Sequence, residues 1–268
     1  MKKIEFFGLP CSGKTFATSI LKKKITQDDK IVHSHSSAFF EYIFYEKNIS
    51  ISEYLSLKYF KYHKITKKIN YAKFNKSKTF TKKKFSLRNP LSNYFYKTYL
   101  NLCKKYSRKI NFDLKKLIYK KINENDKIIN NDKRNAKLWF IEFFAYQYIV
   151  EKYTDKIDFV IDDESLYQKI FIFSDMMNNE SFLKKYLNLI IKPDLLISVN
   201  TKYNKILFRS KQREGTTKFH YRSLKHLTRI IKFEKKLKKL ISNRFKIITF
   251  HNNNNYLKQI NNIYEGIK

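Results

Sequence analysis

The sequence predicts a three-layer α/β fold: a five-stranded parallel sheet between two layers of helices, with a large helical insertion between the second and third strands. Three observations carry that prediction. Short apolar runs at Lys3–Phe7, Ile31–His33, Ile157–Ile161, Leu195–Val199 and Phe245–Phe250 alternate with stretches whose apolar residues recur at helical spacing. The first run enters a helix through a glycine-bounded loop. Several runs end in polar residues, and open parallel sheets bind their ligands beyond the C-terminal ends of their strands.

Taken in order, Lys3-Ile4-Glu5-Phe6-Phe7 reads as a short buried strand. It is followed by Gly8-Leu9-Pro10-Cys11-Ser12-Gly13-Lys14-Thr15, which fits G-x-x-x-x-G-K-[ST], the Walker A or P-loop pattern. In that pattern main-chain N–H groups wrap the phosphates of a nucleotide, and glycine is needed where the backbone must turn with positive φ close to an anion. The whole sequence holds only four glycines, and Gly8 and Gly13 are two of them. The expected ligands are ATP and Mg²⁺. Gly8, Pro10, Cys11, Ser12, Gly13, Lys14 and Thr15 form the phosphate loop, with Lys14 on the β- and γ-phosphates and the Thr15 hydroxyl on the metal. Lys14 to Lys24 then reads as a helix with Phe16, Ile20 and Leu21 on one face, and its N-terminus adds partial positive charge to the site.

Gln27 to Lys30 makes a turn before the second strand, whose end carries His33, Ser34, His35 and Ser36. His33 and His35 are candidates for contact with a second substrate. The alternative is that the serines cap the next helix while the histidines stand exposed. From residue 38 to 133 helical patterns dominate, and Tyr71 to Pro90 interleaves Lys73, Lys76, Lys78, Lys82, Lys83, Lys84 and Arg88 with Phe74, Phe80 and Phe85. Such a stretch is either a solvated lysine-rich loop or a track for a phosphodiester backbone. The expected division is a core of residues 1–37 and 134–268 with a basic helical insertion at 38–133.

Ala136 to Tyr153 is a strongly apolar helix expected to pack in the core. The third strand ends in Asp162-Asp163-Glu164, the pattern of an apolar strand delivering carboxylates to a metal and to an attacking group. Asp162 is expected on Mg²⁺ with Thr15, and Asp163 or Glu164 beside the acceptor. Beyond the fourth strand, Asn200-Thr201 caps a helix carrying Arg209 and Arg213, four residues apart on one face. These arginines either clamp phosphoryl oxygens or are ordinary surface charge. Tyr221 to Leu240 reads as a long basic helix, His251 to Asn255 as a polar turn after the fifth strand, and Tyr256 to Ile267 as a closing helix.

Lys and Arg number 57 against 23 Asp and Glu, a formal charge of +34. That balance suits an anionic partner, nucleic acid or an acidic membrane surface. It is also what a coding sequence rich in A and T produces, since Lys, Asn, Ile, Phe and Tyr abound while Gly and Pro are scarce. Two cysteines, one inside the loop, make no disulfide framework and predict a cytoplasmic protein. The apolar run before Cys11 is too short for a secretion signal, and Leu138 to Val150 is too short and too polar for a transmembrane segment.

The strand and loop from Ile4 to Thr15, together with Pro193-Asp194-Leu195-Leu196-Ile197-Ser198-Val199 and the arginines beyond it, resemble the nucleotide-kinase branch of P-loop proteins, thymidylate kinases in particular. The resemblance covers about half of the chain and implies a kinase-like ATP-dependent phosphotransferase acting on a nucleotide or another small molecule, with Lys14, Asp163, Glu164, Arg209 and Arg213 as catalytic residues. It departs from that family after the third strand, where an Asp-Arg pair is expected and Asp162-Asp163-Glu164-Ser165 holds no arginine. Two other readings are a basic NTPase docked on nucleic acid or an anionic membrane, and a nucleotide-binding protein that has lost catalysis.

Overall fold

A computed structural model describes residues 1–45, 49–59, 90–125, 130–152, 154–176, 179–212, 224–252 and 255–267. The chain divides into a unit of Met1–His35, Asn111–Ala136 and Thr154–Lys268, and a second unit of Ser36–Ile110 and Lys137–Tyr153.

The first unit is built on five strands: β1 (Lys2–Phe7), β2 (Val32–His33), β3 (Phe159–Asp162), β4 (Leu195–Asn200) and β5 (Ile247–His251). They form one all-parallel sheet, as the alternating pattern predicted, with the strands in the order β2-β3-β1-β4-β5. A parallel sheet is covered on both faces, so its strands read as nearly continuous apolar runs. In β1, Ile4 and Phe6 join a mainly aliphatic core with Ala17, Leu21 and Ile25 of α1 (Lys14–Thr26) and Ile260, Ile263 and Tyr264 of α11 (Tyr256–Glu265). Alternation sends Glu5 and Phe7 to the opposite face, which is also fully covered. The elements between β3 and β5 are α7 (Leu166–Lys169), a 3-10 helix at Ile170–Met176 kinked at Phe173, α8 (Glu180–Leu189), α9 (Tyr203–Gln212) and α10 (Leu224–Ser242). Edge-on ring pairs, Phe171 with Phe233 at 5.6 Å and Phe173 with Phe182 at 5.0 Å, hold several of these together.

The second unit is helical. It contains α2 (His35–Tyr45) beyond its first residue, a helix at 51–59 (α3), α4 (Pro90–Ser107), and α6 (Asn130–Lys152) from Lys137 onward. Phe39, Phe40, Ile43, Leu57, Tyr99, Leu102, Tyr106, Tyr146 and Ile149 form its core, where the Tyr99 and Tyr146 hydroxyls share a hydrogen bond of 2.5 Å.

This division departs from the expected boundaries in two places, each for a packing reason. α5 (Phe112–Glu124) belongs with the sheet, because its buried face of Leu114, Ile118 and Ile122 belongs to a helix packed on α8. The apolar part of α6, expected in the sheet's core, places Ala145, Tyr146 and Ile149 in the aromatic core of the second unit. The basic aromatic stretch Tyr71 to Arg88 lies outside the described residues. Among the described residues no helix is long and apolar enough to cross a membrane.

Candidate functional site

β1 lies between β3 and β4, and its C-terminal end opens at the point where the strand order reverses, the place where open α/β sheets bind ligands. The loop from Gly8 to Gly13 fills that end. Gly8 has φ +150° and passes so close to β4 that a Cβ would stand 2.7 Å from the Val199 carbonyl oxygen. Gly13 has φ +93°, and a Cβ there would stand 2.1 Å from the Asn252 side-chain nitrogen. Gly8 requires glycine on backbone and packing grounds together; at Gly13 the positive φ requires it, and a Cβ would displace the Asn252 side chain. Cys11 adopts φ +64°, a left-handed conformation uncommon for a residue with a Cβ.

The loop is fixed by named hydrogen bonds. Ser12 N–H donates to Leu9 O at 3.1 Å, and Gly8 N–H donates to Gln168 Oε1 at 3.0 Å. Lys14 Nζ arches back to donate to Gly8 O at 3.0 Å and Leu9 O at 2.9 Å, so the ammonium lies over the loop. Burial pushes that ammonium down to about 8, with Asp163 and Glu234 opposing the shift. From the other side Arg209 donates to Cys11 O at 3.3 Å. α1 starts just after its N-cap Gly13, directing its first N–H groups toward the same space.

A cavity of about 630 Å³ opens beside the loop, lined among others by Gly13, Lys14, Thr15, Asp163, Glu164 and Arg209. The Thr15 hydroxyl donates to Asp163 Oδ2, so a hydroxyl and a carboxylate stand together on its wall. Mg²⁺ prefers such oxygen donors, and takes one or two carboxylates with phosphate oxygens and water rather than an all-protein cage. The Thr15 hydroxyl and the Asp163 carboxylate are donors of that kind.

Two of the expected site residues, Asp162 and His35, are bonded to each other and are not among the described residues lining the cavity. Asp162, expected on the metal, points elsewhere: its Oδ2 accepts both the backbone N–H of His35 at 2.7 Å and the His35 ring Nδ1 at 2.5 Å. Burial pushes the Asp162 carboxyl up, but the bonds and charge of His35 outweigh it and hold the group below its ordinary value of 3.8. His35, expected at a substrate, is buried in this pair. His33 sits on β2, in register with Val160. Neither histidine is among the described residues lining the cavity. Asp162 is the last residue of β3 and is held by His35, while Asp163, the first residue beyond the strand, meets Thr15 on the cavity wall. Arg209 reaches the cavity, and Arg213 lies outside the described residues.

No family model matches the chain, and no curated protein matches it. Among solved structures, it is similar to the thymidylate kinase of Candida albicans, at 12% identity and a TM-score of 0.40, over 99% of this chain and 90% of that one.

Sequence reasoning missed Gln168, Thr201 and Asn252. Thr201 Oγ1 and Asn252 Nδ2 both donate to Ser12 O, at 2.5 and 2.8 Å. For Thr201 and Asn252 the available signal was position, since each directly follows a parallel strand. It also missed Glu5, which is buried on β1 in register with Asp162 and keeps Oε2 without a hydrogen bond. Burial pushes this carboxyl up to about 7, partly offset by His35.

Proposed function

We propose that this chain is an ATP-dependent phosphotransferase that binds Mg-ATP on the Gly8–Thr15 loop and transfers a phosphoryl group to a small-molecule or nucleotide acceptor. The observation that supports it best is the arrangement on one cavity wall: a glycine-bounded loop, a lysine arched over it, and a Thr15–Asp163 pair beside the start of α1. Phosphoryl transfer asks a protein chiefly for positioning and for electrostatic stabilisation, and these residues supply both.

In this reading the loop N–H groups and the α1 N-terminus bind the donor phosphates. Lys14 exchanges the Gly8 and Leu9 carbonyls for β- and γ-phosphate oxygens. Thr15 and Asp163 hold Mg²⁺, which when bound neutralises charge on the transferred group. Glu164, exposed on the same wall, orients the acceptor hydroxyl or accepts its proton. Arg209 moves from Cys11 O to the phosphoryl oxygens as charge spreads onto them.

The test is titration of the protein with Mg-ATP by calorimetry, then incubation with nucleosides, monophosphates and sugars followed by mass. Saturable one-to-one binding is expected, and Lys14→Ala should weaken it by about 100-fold, the value of two charge-assisted hydrogen bonds. A Lys14→Ala protein with wild-type affinity overturns the assignment.

A further inference from the structure

The peptide between Ser12 and Gly13 is gripped from two strands at once. Its carbonyl oxygen accepts the Thr201 hydroxyl, one residue beyond β4, and the Asn252 side-chain amide, one residue beyond β5. The two donors are carried side by side by the sheet: Asn200 pairs with His251, and Asn252 N–H donates to Asn200 O at 2.9 Å. Lys238 Nζ, on α10, fixes the same corner through Asn200 Oδ1 at 2.6 Å. Asn252 reaches the loop only because Gly13 lacks a Cβ, which would fall 2.1 Å from its nitrogen.

A trans peptide is planar, with its C=O and N–H pointing in opposite directions. Holding Ser12 O toward Thr201 and Asn252 therefore turns the Gly13 N–H away from them, and no hydrogen bond within the described residues engages that N–H. We infer that Thr201 and Asn252 are positioning residues that lock the Ser12–Gly13 peptide in the orientation a polyphosphate needs before it arrives. The inference rests on the loop's being a phosphate site, as proposed above. Its value lies in preorganisation: a donor already aimed costs no ordering on binding. A carbonyl oxygen has two lone pairs, so either donor alone restrains the peptide and loss of both frees it.

The test compares Thr201→Val, which keeps shape and loses the hydroxyl, with Thr201→Ser, which keeps the hydroxyl, and with Asn252→Leu and the Thr201→Val/Asn252→Leu pair. Probes are Mg-ATP and inorganic tripolyphosphate. Thr201→Val and Asn252→Leu should each weaken binding by about threefold to tenfold, the worth of one hydrogen bond, with Thr201→Ser close to wild type. The double variant should lose more than the product of the two single losses, because the two side chains act on one atom. In turnover, the loss falls on KM for ATP rather than on kcat. Amide exchange of residues 11–14 in the free protein supplies a readout that needs no ligand, and should quicken in the double variant. Wild-type affinity and wild-type exchange in that variant overturn the inference. A wild-type protein that binds neither probe removes the phosphotransferase reading instead, and the exchange measurement still decides whether the lock exists. Should the double variant not fold, the Val and Ser substitutions at residue 201 make the same comparison.

Discussion

Asp162 and Asp163 are neighbours in the chain at the end of one strand, yet they serve different regions. Asp163 stands on the cavity wall with Thr15, half-buried and facing the space where ligand would lie. Asp162 turns to the interior and binds His35 twice, pinning the end of β2 to the end of β3. In the proposed mechanism Asp163 serves the chemistry, whereas Asp162 is held by His35, and what separates them is that Asp162 is the last residue of β3 and Asp163 the first beyond it.

That contrast gives the largest expected effects. Asp163→Asn keeps the shape of the side chain and removes its charge, so it should lower Mg²⁺-dependent turnover by about 100-fold or more while leaving the urea midpoint near wild type. Asp162→Asn should do the reverse. It takes the charge from a buried pair with His35 and costs on the order of 3 kcal/mol of stability, with Mg-ATP affinity little changed in the protein that remains folded. If Asp162→Asn abolished turnover without loss of stability, the two roles would have to be exchanged. The pH dependence follows in sign. Because the Asp162 carboxyl is held below its ordinary 3.8, its contribution is present above that value and disappears as pH falls through the lower folded value.

The same comparison shows what a sequence makes legible. The five strands of the parallel sheet and the Gly8–Thr15 loop could be anticipated because they depend on local chemistry: apolar runs, and glycines where φ must be positive. The Asp162–His35 pair could not, because it joins residues 127 apart through the adjacency of β2 and β3. His35 carried a polar side chain past a strand end, which is also how a substrate residue looks. Thr201 and Asn252 were seen only as capping and turn residues, since their contacts with Ser12 exist only once β4 and β5 lie beside β1. The helical unit was legible as helices and not in its boundaries, because apolar periodicity does not say which core a helix enters.

Glu5 sharpens the comparison at intermediate size. It is a third carboxylate, inside β1 and in register with Asp162, and burial raises it to about 7 where Asp162 is lowered. The protonated form is therefore the one the fold prefers. The folded protein holds a proton that the unfolded chain gives up near the ordinary 4.5, so Glu5 makes stability decline as pH rises from about 4.5 to 7. Glu5→Gln imitates the protonated group, and should raise stability by about 2 to 3 kcal/mol at pH 8 and change it little at pH 4.5. Urea melts at the two pH values measure this. An equal effect at both would mean that the carboxyl does not titrate in this range.

The smallest expected effect lies in the aromatic core of the second unit, where a buried bond joins Tyr99 and Tyr146. Burial, the first of several causes, raises the Tyr99 hydroxyl well above its ordinary value, so it stays neutral and serves only as a hydrogen-bonding group. Tyr99→Phe deletes one oxygen without opening a cavity of any size, and should cost about 1 kcal/mol. Tyr99→Phe combined with Tyr146→Phe should cost less than twice the single change, because removing both partners of a buried bond leaves neither stranded. Neither variant should alter Mg-ATP affinity, since none of the groups that bind phosphate in the proposed mechanism belongs to that core. A loss of affinity in either would show that the helical unit contributes to the site through more than its own packing.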